Sequence, residues 1–314
     1  MKDSFAREID YLRISVTDRC NLRCLYCMPD GIEKKTHDEI LRDEEMIDIV
    51  KESVKLGISK IRITGGEPLV RKGIYGLIRK ISDIEGIKEV TITTNATLLV
   101  GNVKKLKDAG ISRVNFSMDT LDNKKFQFIT KTKLTLDYEK LIKELTQNNL
   151  LPIKINAVLL KGFNDNEIPD FIKLANKYDL IIRLIELMPV GHLDFDHKKY
   201  YISKDEILEK YPELEFYRKD IIADYYKVKG NKGIIGFINP ISHKFCEDCN
   251  RLRLTADGHM KPCLHNNNEI YIKDIDKSKL PEKIKEAIIA KPKNHTLDES
   301  IENQSDRPMN KIGG

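Results

Sequence analysis

The chain's six cysteines fall into two triplets, Cys20, Cys24 and Cys27 near the start and Cys246, Cys249 and Cys263 toward the end. The first reads C-x3-C-x2-C within TDRCNLRCLYCMP, which begins at Thr17. Three close thiolates are one short of the four that normally complete a 4Fe-4S cluster, so this spacing points to a cluster with one iron open to an outside ligand. The second triplet reads C-x2-C-x13-C and is also one ligand short. A second open 4Fe-4S cluster is the favoured reading, and a zinc ribbon completed by His265 also fits the ligand count. Between these ligands, Arg251 and Arg253 alternate along a β-like run, which directs both guanidiniums to one face and one anion. Lys154 interrupts an apolar run from Ile153 to Leu160, where a buried ammonium needs an anionic partner.

Charge excludes a broad nucleic-acid surface: 54 basic residues against 49 acidic ones leave only +5, enough for a local basic pocket that takes a phosphorylated small molecule. No apolar run approaches the ~18 residues that span a bilayer, and the first residues have neither the apolar core nor the cleavage site of a secretory leader. The expected location is the cytoplasm, where structural disulfides are rare.

These residues need a frame. A phrase recurs as GISKIRIT from Gly57, GIKEVTIT from Gly86 and GISRVNFS from Gly110, each a helix-ending glycine followed by a short strand. Helical periodicity over 44–56, 74–84, 98–109 and 138–148 fills the intervals, and strands at 12–15, 152–159 and 180–187 with a helix at 167–178 complete the series. About six parallel strands predict an α/β fold, an incomplete (β/α)6 barrel, with an open doubly wound sheet as the alternative. Both put the working site at the carboxyl ends of the strands, where TGGEP from Thr64, TTN from Thr93, SMD from Ser117 and ELMP from Glu186 fall. After Pro189 the rhythm stops: a short helix at 204–209 and hairpin-like runs at 225–228 and 233–238 precede the second triplet. The expected division is therefore 1–190, the partial barrel, and 191–314, a smaller α+β region covering the barrel mouth. By composition alone, the polar stretch from Lys291 reads as a disordered tail.

The cysteine loop with its aromatic Tyr26, followed by Gly65, Gly66 and Glu67, resembles the signature of the radical S-adenosylmethionine superfamily. Together with RITGGEPLVR from Arg62 and CNRLRLTADG from Cys249, it is similar to one family in particular, the GTP 3′,8-cyclases of molybdenum cofactor biosynthesis, over nearly the whole chain. The resemblance implies two 4Fe-4S clusters and S-adenosylmethionine as cofactors. The first cluster would cleave S-adenosylmethionine, and the resulting radical would take hydrogen from ribose C3′ of GTP held by the second. It implies Tyr26, Gly66, Glu67, Ser117 and Met188 as S-adenosylmethionine contacts, and Arg13, Arg62, Thr93, Lys154, Arg251, Leu252 and Arg253 as GTP contacts. It also implies that Gly313 and Gly314 end a flexible tail that reaches into the active site and supports catalysis.

The implied partners are GTP, an electron donor and the next enzyme of molybdopterin synthesis; a homodimer is allowed, and neither nucleic acid nor membrane is expected. Two departures from the common pattern, Ala96 in place of glycine and Met118 in place of leucine, leave the backbone after those strands open. Two competing functions are a twin-cluster radical enzyme acting on a peptide or RNA base, and a noncatalytic iron-sulfur or zinc protein.

Overall fold

Helix-ending glycines set the rhythm of the chain. In the computed structural model, which describes residues 1–28, 36–190, 196–295 and 305–313, Gly57, Gly86 and Gly110 adopt φ of +96°, +95° and +99°. This left-handed conformation ends a helix with little strain only for glycine.

The barrel elements are β1 (Tyr11–Ser15), α1 (Asp43–Lys55), β2 (Lys60–Thr64), α2 (Ile74–Ser82), β3 (Glu89–Thr94), α3 (Val103–Asp108), β4 (Arg113–Ser117), α4 (Asn123–Thr130), α5 (Tyr138–Gln147), β5 (Lys154–Val158), α6 (Ile168–Tyr178) and β6 (Ile181–Ile185). There follow α7 (His197–Tyr200), α8 (Lys204–Lys210), β7 (Glu215–Lys219), β8 (Asp224–Lys227), β9 (Ile234–Ile238), β10 (Arg251–Leu254), β11 (His259–Lys261), β12 (Ile270–Tyr271), α9 (Leu280–Ile289) and α10 (Met309–Ile312).

The strands form one sheet in the order β12-β11-β10-β1-β2-β3-β4-β5-β6-β9-β8-β7. The six expected strands lie side by side and parallel, and β10 and β9 extend them as parallel neighbours of β1 and β6. The later part of the chain therefore supplies both edges of the barrel sheet as well as material around its mouth. A six-stranded sheet alone would leave the backbone donors and acceptors of β1 and β6 unpaired along two long edges. The new outer edges are guarded: β12 has two residues, and β7 carries a bulge between Phe216 and Arg218.

One large apolar core runs beneath the sheet, from Leu12 and Ile14 of β1 through Phe116 of β4 to Ile284 and Ile288 of α9. The helix expected over 98–109 begins only at Val103, because Leu99 N–H turns back to the Ala96 carbonyl and Gly101 sits at φ +80°. Residues 305–313 pack onto the body of the protein, unlike the disordered tail that composition suggests. The boundary expected at Gly191 falls outside the described residues, and the sheet crosses both parts without interruption. Among the described residues no helix is long and apolar enough to cross a membrane.

Candidate active site

The loop after β1 carries Cys20, Cys24 and Cys27, and it is held in place by its neighbours. The Cys27 and Met28 N–H groups both donate to the Cys24 carbonyl, at 3.0 and 2.9 Å. Arg23 and Leu25 N–H groups donate to the carbonyls of Thr130 and Ile129 at the end of α4, at 2.9 and 3.0 Å. The Tyr26 hydroxyl donates to Asp119 Oδ2 at 2.6 Å. Burial raises the Cys24 thiol well above its ordinary value and the Cys27 thiol to about 12.

The Gly65-Gly66 turn lies against this loop. Gly66 N–H donates to the Thr17 carbonyl and Glu67 N–H to the Arg19 carbonyl, both at 2.8 Å. A Cβ on Gly66 would sit 2.5 Å from the Arg19 oxygen, closer than any side chain tolerates. The glycines thus let two protein loops touch, whereas the sequence reading had them admit a ligand. Glu67 also differs from its expected part as an S-adenosylmethionine contact. It is fully buried; Oε1 accepts from Leu69 N–H and Thr94 Oγ1, and Oε2 from Asn95 N–H at 2.7 Å. Burial, opposed by those hydrogen bonds, raises its carboxyl to about 7. Glu67 braces the wall from behind.

The second triplet lines the same cavity, whose volume is about 330 Å³. Cys249 N–H donates to the Cys246 carbonyl at 3.2 Å, and Lys291 Nζ donates to the carbonyls of Arg251 and Pro262 at 2.8 and 3.0 Å. Burial would raise the Cys249 thiol, but Arg251 and Lys291 outweigh it and bring it down to about 6, which favours the thiolate that iron or zinc requires. His265 packs on His295 with ring centroids 4.6 Å apart, and burial followed by His295 lowers it to about 3. Among the described residues no three His, Cys, Asp or Glu side chains are gathered to hold a single metal ion.

The same cavity holds a row of cations. Strand register puts Arg13 of β1 directly beside Arg253 of β10 on one side and Arg62 of β2 on the other, and all three line the cavity. Burial lowers each guanidinium; Arg253 and Arg62 lower Arg13 further, and Arg253 falls to about 10. Arg62 Nε and Thr93 Oγ1 are buried without a hydrogen-bond partner among the described residues. The two carboxylates on the cavity wall are committed elsewhere. Asp119, raised to about 6 by burial, accepts from Tyr26 and from Val158 N–H; Glu186 accepts from the Ile241 and Ser242 N–H groups. Crowded cations with orphaned donors fit a polyanion such as a triphosphate.

Gly66, Tyr26, Ser117, Met188, Thr93, Arg251 and Arg253 also reach this cavity. Three expected contacts do not: Glu67, which lies behind the wall, Leu252 and Lys154. Leu252 points into the core, fully buried, because it alternates with the two arginines, so its expected role as a GTP contact is corrected for the side chain. Lys154, at the start of β5 and two residues below Asn156, is not on the cavity wall; burial and then Arg183 lower it to about 8. Gly313 lies beside the site: its carbonyl accepts from Arg253 Nη1, and a Cβ there would meet Thr64 Oγ1 at 2.5 Å. Gly314 lies outside the described residues.

Sequence reasoning missed Arg183 and Lys291, and it placed Asp119 and Asn95 at the working ends of their strands without giving them a role. Arg183 Nε donates to Asn156 Oδ1 at 3.0 Å, and burial followed by Arg62 lowers it to about 10. Asn95 Nδ2 reaches Cys20 Sγ at 3.7 Å.

The pattern of the Radical SAM superfamily matches residues 14–175, and that of Molybdenum Cofactor Synthesis C matches 180–297. Two solved structures share the fold. Streptococcus suis SuiB bound to precursor peptide SuiA superposes with a TM-score of 0.61 at 16% identity over 88% of this chain and 65% of SuiB, so the chain spans about two thirds of that protein. Native anSMEcpe with bound AdoMet gives 0.59 at 18% identity over 88% of this chain and 81% of its own. Fold and cysteine loop thus define a radical S-adenosylmethionine enzyme, whose cofactors are S-adenosylmethionine and iron-sulfur clusters. The GTP 3′,8-cyclase of Alkaliphilus oremlandii is 48% identical over 100% of both chains, and that of Thermodesulfovibrio yellowstonii 46% over 100% of both. The chain belongs to the GTP 3′,8-cyclase family.

Proposed function

We propose that this enzyme joins ribose C3′ of GTP to guanine C8, giving (8S)-3′,8-cyclo-7,8-dihydroguanosine 5′-triphosphate for molybdenum cofactor biosynthesis. The observation that carries the reading is the register row Arg253, Arg13, Arg62 lying in one cavity with both cysteine triplets.

Cys20, Cys24 and Cys27 would hold one 4Fe-4S cluster and Cys246, Cys249 and Cys263 the other. When bound, the clusters and S-adenosylmethionine supply a carbon radical able to abstract hydrogen from ribose. The chain's own residues bind and orient. Tyr26, Gly66, Ser117 and Met188, which line the cavity that also holds the first triplet, receive S-adenosylmethionine, with Glu67 fixing the Gly65-Gly66 turn through Asn95 N–H. Arg13, Arg62, Thr93 and Arg253 receive the triphosphate of GTP, with Lys154 adding charge from below and Arg251 turned toward the second triplet. Leu252 holds the two arginines in alternation from the core. Gly313 caps the site through its contact with Arg253 and helps exclude water, and Gly314, outside the described residues, is read as acting with it.

In this reading residues 1–190 generate the radical and supply most of the triphosphate contacts, and residues 191–314 carry the second cluster with Arg251 and Arg253. The enzyme works in the cytoplasm, takes electrons from an external donor and passes its product to the next enzyme of molybdopterin synthesis; a homodimer is compatible with all of this. The test is anaerobic reconstitution with iron and sulfide, expected to load about eight irons per chain, followed by GTP, S-adenosylmethionine and dithionite. The expected outcome is the cyclised nucleotide, with 5′-deoxyadenosine formation dependent on GTP. Cleavage that ignores GTP but answers to a peptide or RNA would overturn the reading.

A further inference from the structure

If the enzyme is the proposed cyclase, on which this inference rests, radical generation at the first triplet consumes an electron that no residue of the chain supplies. One face must therefore admit a donor. The cysteine loop is covered on one side by the last turn of α4, through the hydrogen bonds from Arg23 N–H to Thr130 and from Leu25 N–H to Ile129. Leu25 is the residue next to Cys24. Directly before Ile129 stands Phe128, 65% exposed, so the outer surface of α4 is one hydrogen bond and two peptide units from a cluster ligand. The Phe128 ring also lies 6.1 Å from that of Phe163, and Phe163 packs with Leu25 and Tyr26 in a small apolar cluster.

Around Phe128 the surface is basic. Lys124, Lys131 and Lys133 are exposed beside it, and Leu134 is 44% exposed. Of the described carboxylates nearby, Asp122 keeps its charge while capping α4 through the Lys124 and Lys125 N–H groups at 2.7 and 3.0 Å, and Glu167 is paired with Lys125 and accepts from Thr120 Oγ1 and Leu121 N–H, so exposed cations outnumber exposed carboxylates around Phe128. Arg19, also exposed, extends the positive surface along the cysteine loop itself. An exposed aromatic centre rimmed by cations is the arrangement of a docking patch that steers a partner of opposite charge.

We infer that the α4 face is the docking site for an acidic protein that carries a one-electron cofactor near its surface. In the encounter the donor is oxidised by one electron and the enzyme reduced by one; no bond is formed or broken at the interface.

The test uses reconstituted holoenzyme, an acidic 2Fe-2S ferredoxin as probe, and dithionite as small-molecule reductant. Affinity for ferredoxin is measured by calorimetry, and 5′-deoxyadenosine formation is followed with each reductant. The triple variant Lys124→Glu/Lys131→Glu/Lys133→Glu is expected to weaken ferredoxin binding about tenfold or more at low salt and to abolish its salt dependence, with the dithionite-driven rate unchanged. Phe128→Ser is expected to weaken binding about threefold to tenfold without altering its salt dependence. Unchanged affinity and ferredoxin-driven rate in both variants would overturn the inference, as would a change in oligomeric state showing that a second copy covers this face. The triple glutamine variant carries the same comparison should the charge reversal impair folding. Failure of the wild-type enzyme to cleave S-adenosylmethionine with dithionite would instead sink the proposed function and is read separately.

Discussion

Arg253 has two attachments, one to the cavity and one to the Gly313 carbonyl, so Arg253→Ala is expected to weaken GTP binding about 100-fold, the scale of a lost charge-assisted pair. Calorimetry on anaerobic holoenzyme checks this, with S-adenosylmethionine affinity unchanged as the control; unchanged GTP affinity would remove Arg253 from the phosphate site. Lys154 makes a pH prediction. Its ammonium, lowered by burial and Arg183, titrates near about 8, so it is charged below that pH and neutral above it. GTP affinity should therefore fall about fivefold as pH rises through 8, one partly screened charge being worth about 1 kcal/mol, and Lys154→Arg should flatten the profile. At this scale the sequence reveals residues whose chemistry conflicts with their surroundings. The cysteines and Lys154 stand out in that way, and Arg183, inside the equally apolar run from Ile181 to Ile185, carried the same signal unread. Asp119 and Asn95 gave no such signal, because their partners Tyr26 and Cys20 are 93 and 75 residues away.

Elements fix the tail as well as the strands. Arg307 donates to Asp257 Oδ2 and Glu269 Oε2, each at 2.8 Å, tying the residues before α10 to the hairpin that carries Arg253. From there Asn310 Nδ2 reaches the Asp18 carbonyl at 3.2 Å. Arg307→Ala is expected to expose residues 305–313 to limited proteolysis and to lower cyclised product about tenfold, while the first triplet keeps its iron. Equal protease resistance in the two proteins would show that the tail docks without this pair. The repeated strand-helix units were readable because each has a full period of apolar residues and a closing glycine. Strands β11 and β12, three and two residues long, are too short for alternation to register, and their place follows only from pairing with β10. The tail was hidden for a related reason: a polar segment that docks through ion pairs has the composition of one that does not dock.

Across the whole molecule the two ends of the chain meet at the second triplet. Arg7 is buried against Asp3, with Nε 2.6 Å from its carboxylate, and donates to the carbonyls of Cys246, Pro292 and Lys293 at 2.7, 2.7 and 2.9 Å. Arg7→Met leaves the buried Asp3 carboxylate without its counter-charge, though Oδ1 keeps the Phe5 and Arg7 N–H groups, and unpairs three carbonyls, an imbalance of about 3–5 kcal/mol. Iron content is expected to fall from about eight to about four per chain, with S-adenosylmethionine binding retained; full iron loading would show that the second loop holds itself. The sheet order adds a mechanical consequence. Residues 239–250 are all that joins β9 at one side of the parallel strands to β10 at the other, and a dozen residues reach at most ~40 Å even when fully stretched. Cys246 and Cys249 sit on that strap. The two edges of the parallel sheet and two ligands of the second triplet therefore depend on one short strap of chain, like a buckle set in a belt.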